Sequence, residues 1–90
     1  MSRPAATALL LGWALIYSRD PSAPRHEWKE IGAYATEWVC NDVREGEVDR
    51  AIAKEIGSAL ASQPADNPMR ATAWTKAQPR VRPRYRCERE

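Results

Sequence analysis

The 90-residue sequence has no phenylalanine, one histidine, four glycines and two cysteines. Each scarcity removes a class of chemistry. His26, flanked by prolines in a loop, is read as a solvated side chain rather than a catalytic base. Together with two cysteines it supplies too few ligands, in no recognised spacing, for a metal. Four scattered glycines exclude a glycine-rich phosphate loop. The lack of a Cys-x-x-Cys step argues against a thioredoxin-like redox role. No Ser, Cys or Lys stands in a known nucleophile motif, and no two carboxylates are marked by context as an acid and base pair. The sequence reads as a protein that is not an enzyme, with no cofactor and no metal.

A chain this short forms one domain and buries only roughly 60–65% of the surface its unfolded form exposes, so its core is marginal. The apolar fraction of 43% still suffices for a core and argues against full disorder. With no phenylalanine, the large aromatic volume falls to Trp13, Trp28, Trp38 and Trp74, which are read as core before they are read as a binding surface. The net charge of +2 conceals an asymmetry. From Arg70 to Glu90 seven basic residues face two acidic ones, whereas from Glu27 to Leu60 eight acidic face four basic. Either the C-terminal part is a basic binding tail, or the two halves of the chain attract each other. The second needs no partner and is preferred.

Residues 1–12 read as an export-signal remnant or an apolar N-terminal segment, and residues 13–90 as a single small α+β domain. The uncharged run Ala5–Tyr17 has the length of a signal-peptide h-region and is too short to span a bilayer. Its second half, Trp13–Ser18, also has the aromatic and β-branched content of a buried strand. Signal and strand compete for the same residues.

After a proline-broken loop, Glu27–Tyr34 reads as a second strand, with Trp28, Glu30, Gly32 and Tyr34 on one side. Gly32 marks a candidate bulge. Thr36 is read as a helix N-cap with Glu37 in the first turn. Trp38, Val39 and Val43, then Val48, Ile52, Ile56 and Leu60, recur at helical spacing and are assigned to the core. Gly46 either divides this helix or is absorbed at about 1 kcal/mol. Asp49, Arg50, Lys54 and Glu55 fall on the opposite face. Asn67 and Pro68 announce another helix, with Met69, Ala73 and Trp74 inward, ending near Gln78 before Pro79. Arg80–Glu88 alternates with a period of two and reads as an edge strand, its arginines facing water and Val81, Tyr85 and Cys87 facing the core. The expected fold is α+β: a β-hairpin, a helical middle and a short C-terminal strand, ββααβ.

Cys40 and Cys87 each fall beside inward-facing apolar residues. An even count of two in a small chain favours one disulfide, which would stabilise by about 4 kcal/mol. Two buried free thiols are the alternative. The order Trp13-Ala14-Leu15-Ile16-Tyr17, then Trp28 to Thr36, then Cys40, then Tyr85-Arg86-Cys87 resembles a group of small uncharacterised bacterial exported two-cysteine proteins. These have a Trp-rich hairpin, a Cys-bearing helix and a terminal Cys strand. The resemblance implies a hairpin–helix–strand domain, a Cys40–Cys87 bridge and export, and it brings no known activity. The segment from Val43 to Pro83 is longer than in that pattern, so its helices are not carried over.

Arg80, Arg82, Arg84 and Arg86 are the candidate anion-binding residues. Such a row suits an anionic membrane surface or a phosphate backbone. It equally suits an edge strand protected from aggregation by its charges, which is the preferred reading. The leading functional expectation is an exported or envelope-associated structural or interaction domain, periplasmic or membrane-associated, whose partner is an envelope protein or an anionic surface. The alternative is a cytoplasmic nucleic-acid-binding accessory protein using those four arginines. The acidic helical region weighs against it by repelling a polyanion.

Overall fold

A computed structural model describes residues 12–90. The expectation for residues 1–11 therefore lies outside the described residues. The order is β1 (Trp13–Tyr17), β2 (Lys29–Tyr34), α1 (Glu37–Ile56), a one-turn α2 (Ser58–Ala61), α3 (Pro68–Val81) and β3 (Tyr85–Arg89). Short 3-10 turns occupy Arg25–Glu27 and Arg82–Arg84. This is the expected α+β arrangement. The strands form one antiparallel sheet in the order β2-β1-β3, with β1 in the centre. The Trp13–Tyr17 half of the apolar run is thus a strand in the folded domain.

The hairpin register shows where the simple alternation fails. Leu15 pairs with Gly32 but Ile16 pairs with Glu30, so Ile31 is an extra residue. A bulge of this kind shifts the side-chain alternation by one. Gly32 and Tyr34 therefore share the face of Leu15 and Trp13, while Glu30 shares that of Ile16. The expectation that Trp28, Glu30, Gly32 and Tyr34 lie on one side is corrected accordingly.

The two sheet faces are covered differently. Leu15 pairs with Cys87, whose sulfur is bonded to Cys40 on α1, so this face meets the helices. Val48 and Ile52 of α1 pack there with Ala77 and Val81 of α3, joined by half-buried Ile56, Trp74 and Tyr85. On the other face, Ala14, Ile16 and Trp28 form a second cluster beneath the β1–β2 connection. The Trp28 indole donates to the Ala23 carbonyl at 3.0 Å, which holds the connection down.

The capping residues act as their sequence predicts. The Thr36 hydroxyl accepts from the Val39 amide, and Asn67 Oδ1 accepts from Met69 and Arg70. These satisfy amides that have no partner within the helix. Gly46 is absorbed within α1; the helix ends instead at Gly57, whose φ of +96° suits glycine best.

Three expectations are corrected. Pro79 does not end α3, which continues to Val81. Val81 is fully buried between α1 and α3, and this packing outweighs the one backbone hydrogen bond that proline forfeits. In consequence, Arg80–Arg84 is helix and turn, and the strand starts only at Tyr85. Lastly, of the four tryptophans only Trp28 is buried. Trp38 is 71% exposed, and the largest fully buried side chains are Leu15, Ile16, Ile52, Val48 and Val81. Met69, at 72% exposure, is likewise outside the core. Aliphatic side chains fit the thin space between one sheet and two helices more readily than indoles do.

Candidate functional site

Because α3 runs through Arg80 and a turn follows, the four arginines do not form a row. Arg80 leaves α3 towards α1, where its guanidinium donates to Glu55 and to the Lys76 carbonyl. Arg82 donates to Glu45 at 2.6 Å and to Gln78 at 3.0 and 3.1 Å. Arg86 lies on the opposite sheet face, with its guanidinium carbon 4.2 Å from the centre of the Trp28 ring. Only Arg84 makes no ion pair and no side-chain hydrogen bond among the described residues, and its Nε is buried without an acceptor.

The charge asymmetry of the sequence is therefore used inside the fold. Arg80 and Arg82 clip the basic C-terminal part to the acidic α1. The hydrogen bond from Arg82 holds the Glu45 carboxyl below its ordinary pKa. Three tryptophans also carry an arginine over their rings: Arg70 on Trp74, Arg86 on Trp28 and Arg89 on Trp13. Such stacking is favourable because a cation meets the negative face of the ring.

What remains free faces an open cleft of about 720 Å³ between the C-terminal half of α1 and the adjoining ends of β1 and β3. Tyr17, Tyr85, Arg84, Glu47, Arg50 and Lys54 line it. The Tyr17 and Tyr85 rings are cross-strand partners with centroids 4.9 Å apart and planes inclined by 49°. Arg84 is held at the rim because its carbonyl accepts from the Ser18 amide, extending the β1–β3 pairing by one step. Arg50 is paired with Glu47, and Glu55 with Arg80. Burial, and then the neighbouring Tyr17 and Glu47, raise the pKa of Tyr85, so its phenol stays protonated. The cleft thus offers a hydroxyl donor, two aromatic surfaces and two cations, Arg84 and Lys54, that have no ion pair among the described residues.

Sequence reasoning named Arg84 but missed Tyr17, Arg50 and Lys54 as its neighbours. Arg50 and Lys54 are four residues apart on the polar face of α1, which marks them as a pair. Nothing local says that the end of β1 lies beside them. A second open hollow, about 670 Å³, lies around Arg44, Gln78, Pro79, Arg82 and Arg86. All three of its arginines are engaged, Arg82 and Arg86 as described above and Arg44 with Glu45 at 3.4 Å.

His26 sits in the Arg25–Glu27 turn, highly exposed, with Glu27 as its nearest charged neighbour at 3.8 Å. Among the described residues no three His, Cys, Asp or Glu side chains converge as a metal site, and no helix is long and apolar enough to cross a membrane. Cys40 and Cys87 form a disulfide with Cα atoms 6.1 Å apart, closing α1 onto β3. The chain matches no protein-family model, no curated protein and no solved structure.

Proposed function

We propose that the chain is a small exported or envelope-associated interaction domain without catalytic activity. The Cys40–Cys87 disulfide carries this reading. Disulfides persist in oxidising compartments and are rare where glutathione and thioredoxin keep thiols reduced. A thin domain whose largest aromatic residues lie mostly outside its core also gains most from such a staple. The alternative, a cytoplasmic nucleic-acid-binding protein, loses support because Arg80, Arg82 and Arg86 are engaged within the chain. A polyanion would have to displace those partners or find other cations.

The test is the intact mass of the protein from its native host, with alkylation before and after reduction. Thiols that react only after reduction, on a chain shortened at its N-terminus, are expected. Two freely reactive thiols on a full-length chain would overturn the proposal.

A further inference from the structure

We infer that the cleft between α1 and the Tyr17–Tyr85 pair binds a single anionic group carried on an apolar or aromatic body, met by Arg84 and Lys54. The inference extends the interaction-domain reading to a ligand class and does not depend on where in the cell the protein resides.

Charge is the first argument. Both carboxylates of the cleft are already neutralised within the chain, Glu47 by Arg50 and Glu55 by Arg80. Arg84 and Lys54 are left over, with no ion pair among the described residues. An arginine cannot shed its proton to relieve this. Its Nε is closed off from solvent, as is that of Arg44, so a ligand is met by the rest of the guanidinium. A carboxylate or phosphate supplies acceptors matched to the guanidinium fork.

Shape is the second. The cleft, at about 720 Å³, has room for far more than a bare ion and falls in the size range of small-molecule sites. Beyond its charged rim it presents Ala51 and the two tyrosine rings, surfaces that bind by burial and stacking rather than by charge. The protonated Tyr85 phenol adds a donor that a ligand oxygen can accept from.

Two rival surfaces are weaker. The hollow around Arg44 has no free arginine among the described residues, because Arg44 is paired with Glu45, Arg82 is tied to Glu45 and Gln78, and Arg86 to Trp28. The apolar patch of Leu60, Met69 and Ala73 is exposed, and nothing in the structure shows what covers it.

The experiment is an NMR titration of the oxidised full chain with phenyl phosphate and with inorganic phosphate, following the Tyr17 and Tyr85 ring signals. Phenyl phosphate is expected to give saturable shifts, weakened about tenfold by Arg84→Gln and by Lys54→Gln and unchanged by Arg70→Gln, which removes the same charge elsewhere. Inorganic phosphate is expected to bind several-fold more weakly than the aromatic ester. Unchanged Val48 and Ile52 methyl signals show that each variant is folded, and Lys54, on the exposed face of α1, is the safer of the two. Absence of saturable shifts, equal loss in Arg70→Gln, or equal binding of inorganic phosphate would each overturn the inference. Sedimentation with phosphatidylglycerol vesicles separates the two sources of such a group. Arg84-dependent retention assigns a lipid headgroup, and phenyl phosphate binding without retention assigns a soluble ligand. A failed titration leaves the disulfide reading intact, and free thiols in the native host leave the cleft intact.

Discussion

Cys40 in the second turn of α1 is bonded to Cys87 in the middle of β3, directly across from Leu15 of the central strand. One bond therefore joins the helical layer to the sheet at the point where Leu15 is buried. The bridge closes a loop of 47 residues, worth about 4 kcal/mol in the chain-entropy account. That is a large share of the roughly 5–15 kcal/mol available to a small domain. The double variant Cys40→Ala/Cys87→Ala is expected to lose about 4 kcal/mol in urea unfolding. Wild type unfolded in the presence of dithiothreitol is expected to match it. A midpoint unmoved by reduction would show that the bridge is not structural.

Glu45 and Arg82 make the second link, between α1 and the turn before β3. Both side chains are partly exposed, 44% and 39%, so solvent screening holds the pair to about 0.5–1 kcal/mol. The hydrogen bond from Arg82 depresses the Glu45 pKa in the folded state. A depressed carboxylate pKa stabilises the fold above the unfolded value and loses that contribution as pH falls through the folded one. Glu45→Gln is therefore expected to be less stable than wild type at pH 7. The two urea curves are expected to converge as pH falls below the ordinary glutamate range and through the lowered folded-state value. A gap that acidification does not narrow would assign the loss to packing instead.

The elements were legible from local signals wherever a side chain acts on its own backbone. Thr36, Asn67 and Pro68 mark helix starts by satisfying or lacking particular amides, and those starts hold. Gly32 marked a candidate bulge and Val81 was expected to face the core, but the particular extra residue, Ile31, the passage of α3 through Pro79 and the helical placement of Val81 were not legible in this way. Each depends on a partner distant in sequence: β1 for the bulge, and Val48 and Ile52 for Val81. The candidate site follows the same division. Four arginines at alternate positions read as one strand face. Three extra residues of helix and a turn send them to Glu55, Glu45, the tyrosine cleft and Trp28 in succession. The charge asymmetry, by contrast, was legible as attraction between the two halves of the chain, because opposite charges need no particular geometry to be drawn together.

Trp28 closes the sheet face that no helix covers. It is 5% exposed against Ala14 and Ile16, with Arg86 on its outer face and its indole N–H bonded to Ala23. Trp28→Ala is expected to cost about 3–5 kcal/mol, since burial and cavity terms add. Trp28→Phe keeps an aromatic ring but leaves the Ala23 carbonyl without its donor, and is expected to cost about 1–2 kcal/mol. Urea denaturation followed by circular dichroism measures both. Equal losses in the two variants would mean that the hydrogen bond, not the ring, anchors the connection.

Pro79 offers the opposite prospect, a substitution that strengthens the fold. It lies third from the end of α3, before Arg80 and Val81 complete the helix, is itself exposed, and cannot donate to the Thr75 carbonyl. Alanine there restores that donor and removes the ring's clash with the preceding turn, a gain of up to about 3 kcal/mol in a helix interior. Two effects reduce it. The last turn is less constrained than the interior, and alanine frees the unfolded chain by about 0.4–1 kcal/mol. Pro79→Ala is therefore expected to stabilise by about 1–2 kcal/mol, with greater helicity at 222 nm and no loss of the Arg82–Glu45 pair. A destabilised Pro79→Ala would mean that proline is needed to direct the chain from α3 into the Arg82–Arg84 turn. In that case the position of Arg84 at the cleft rim depends on Pro79, and phenyl phosphate binding is expected to weaken in the same variant.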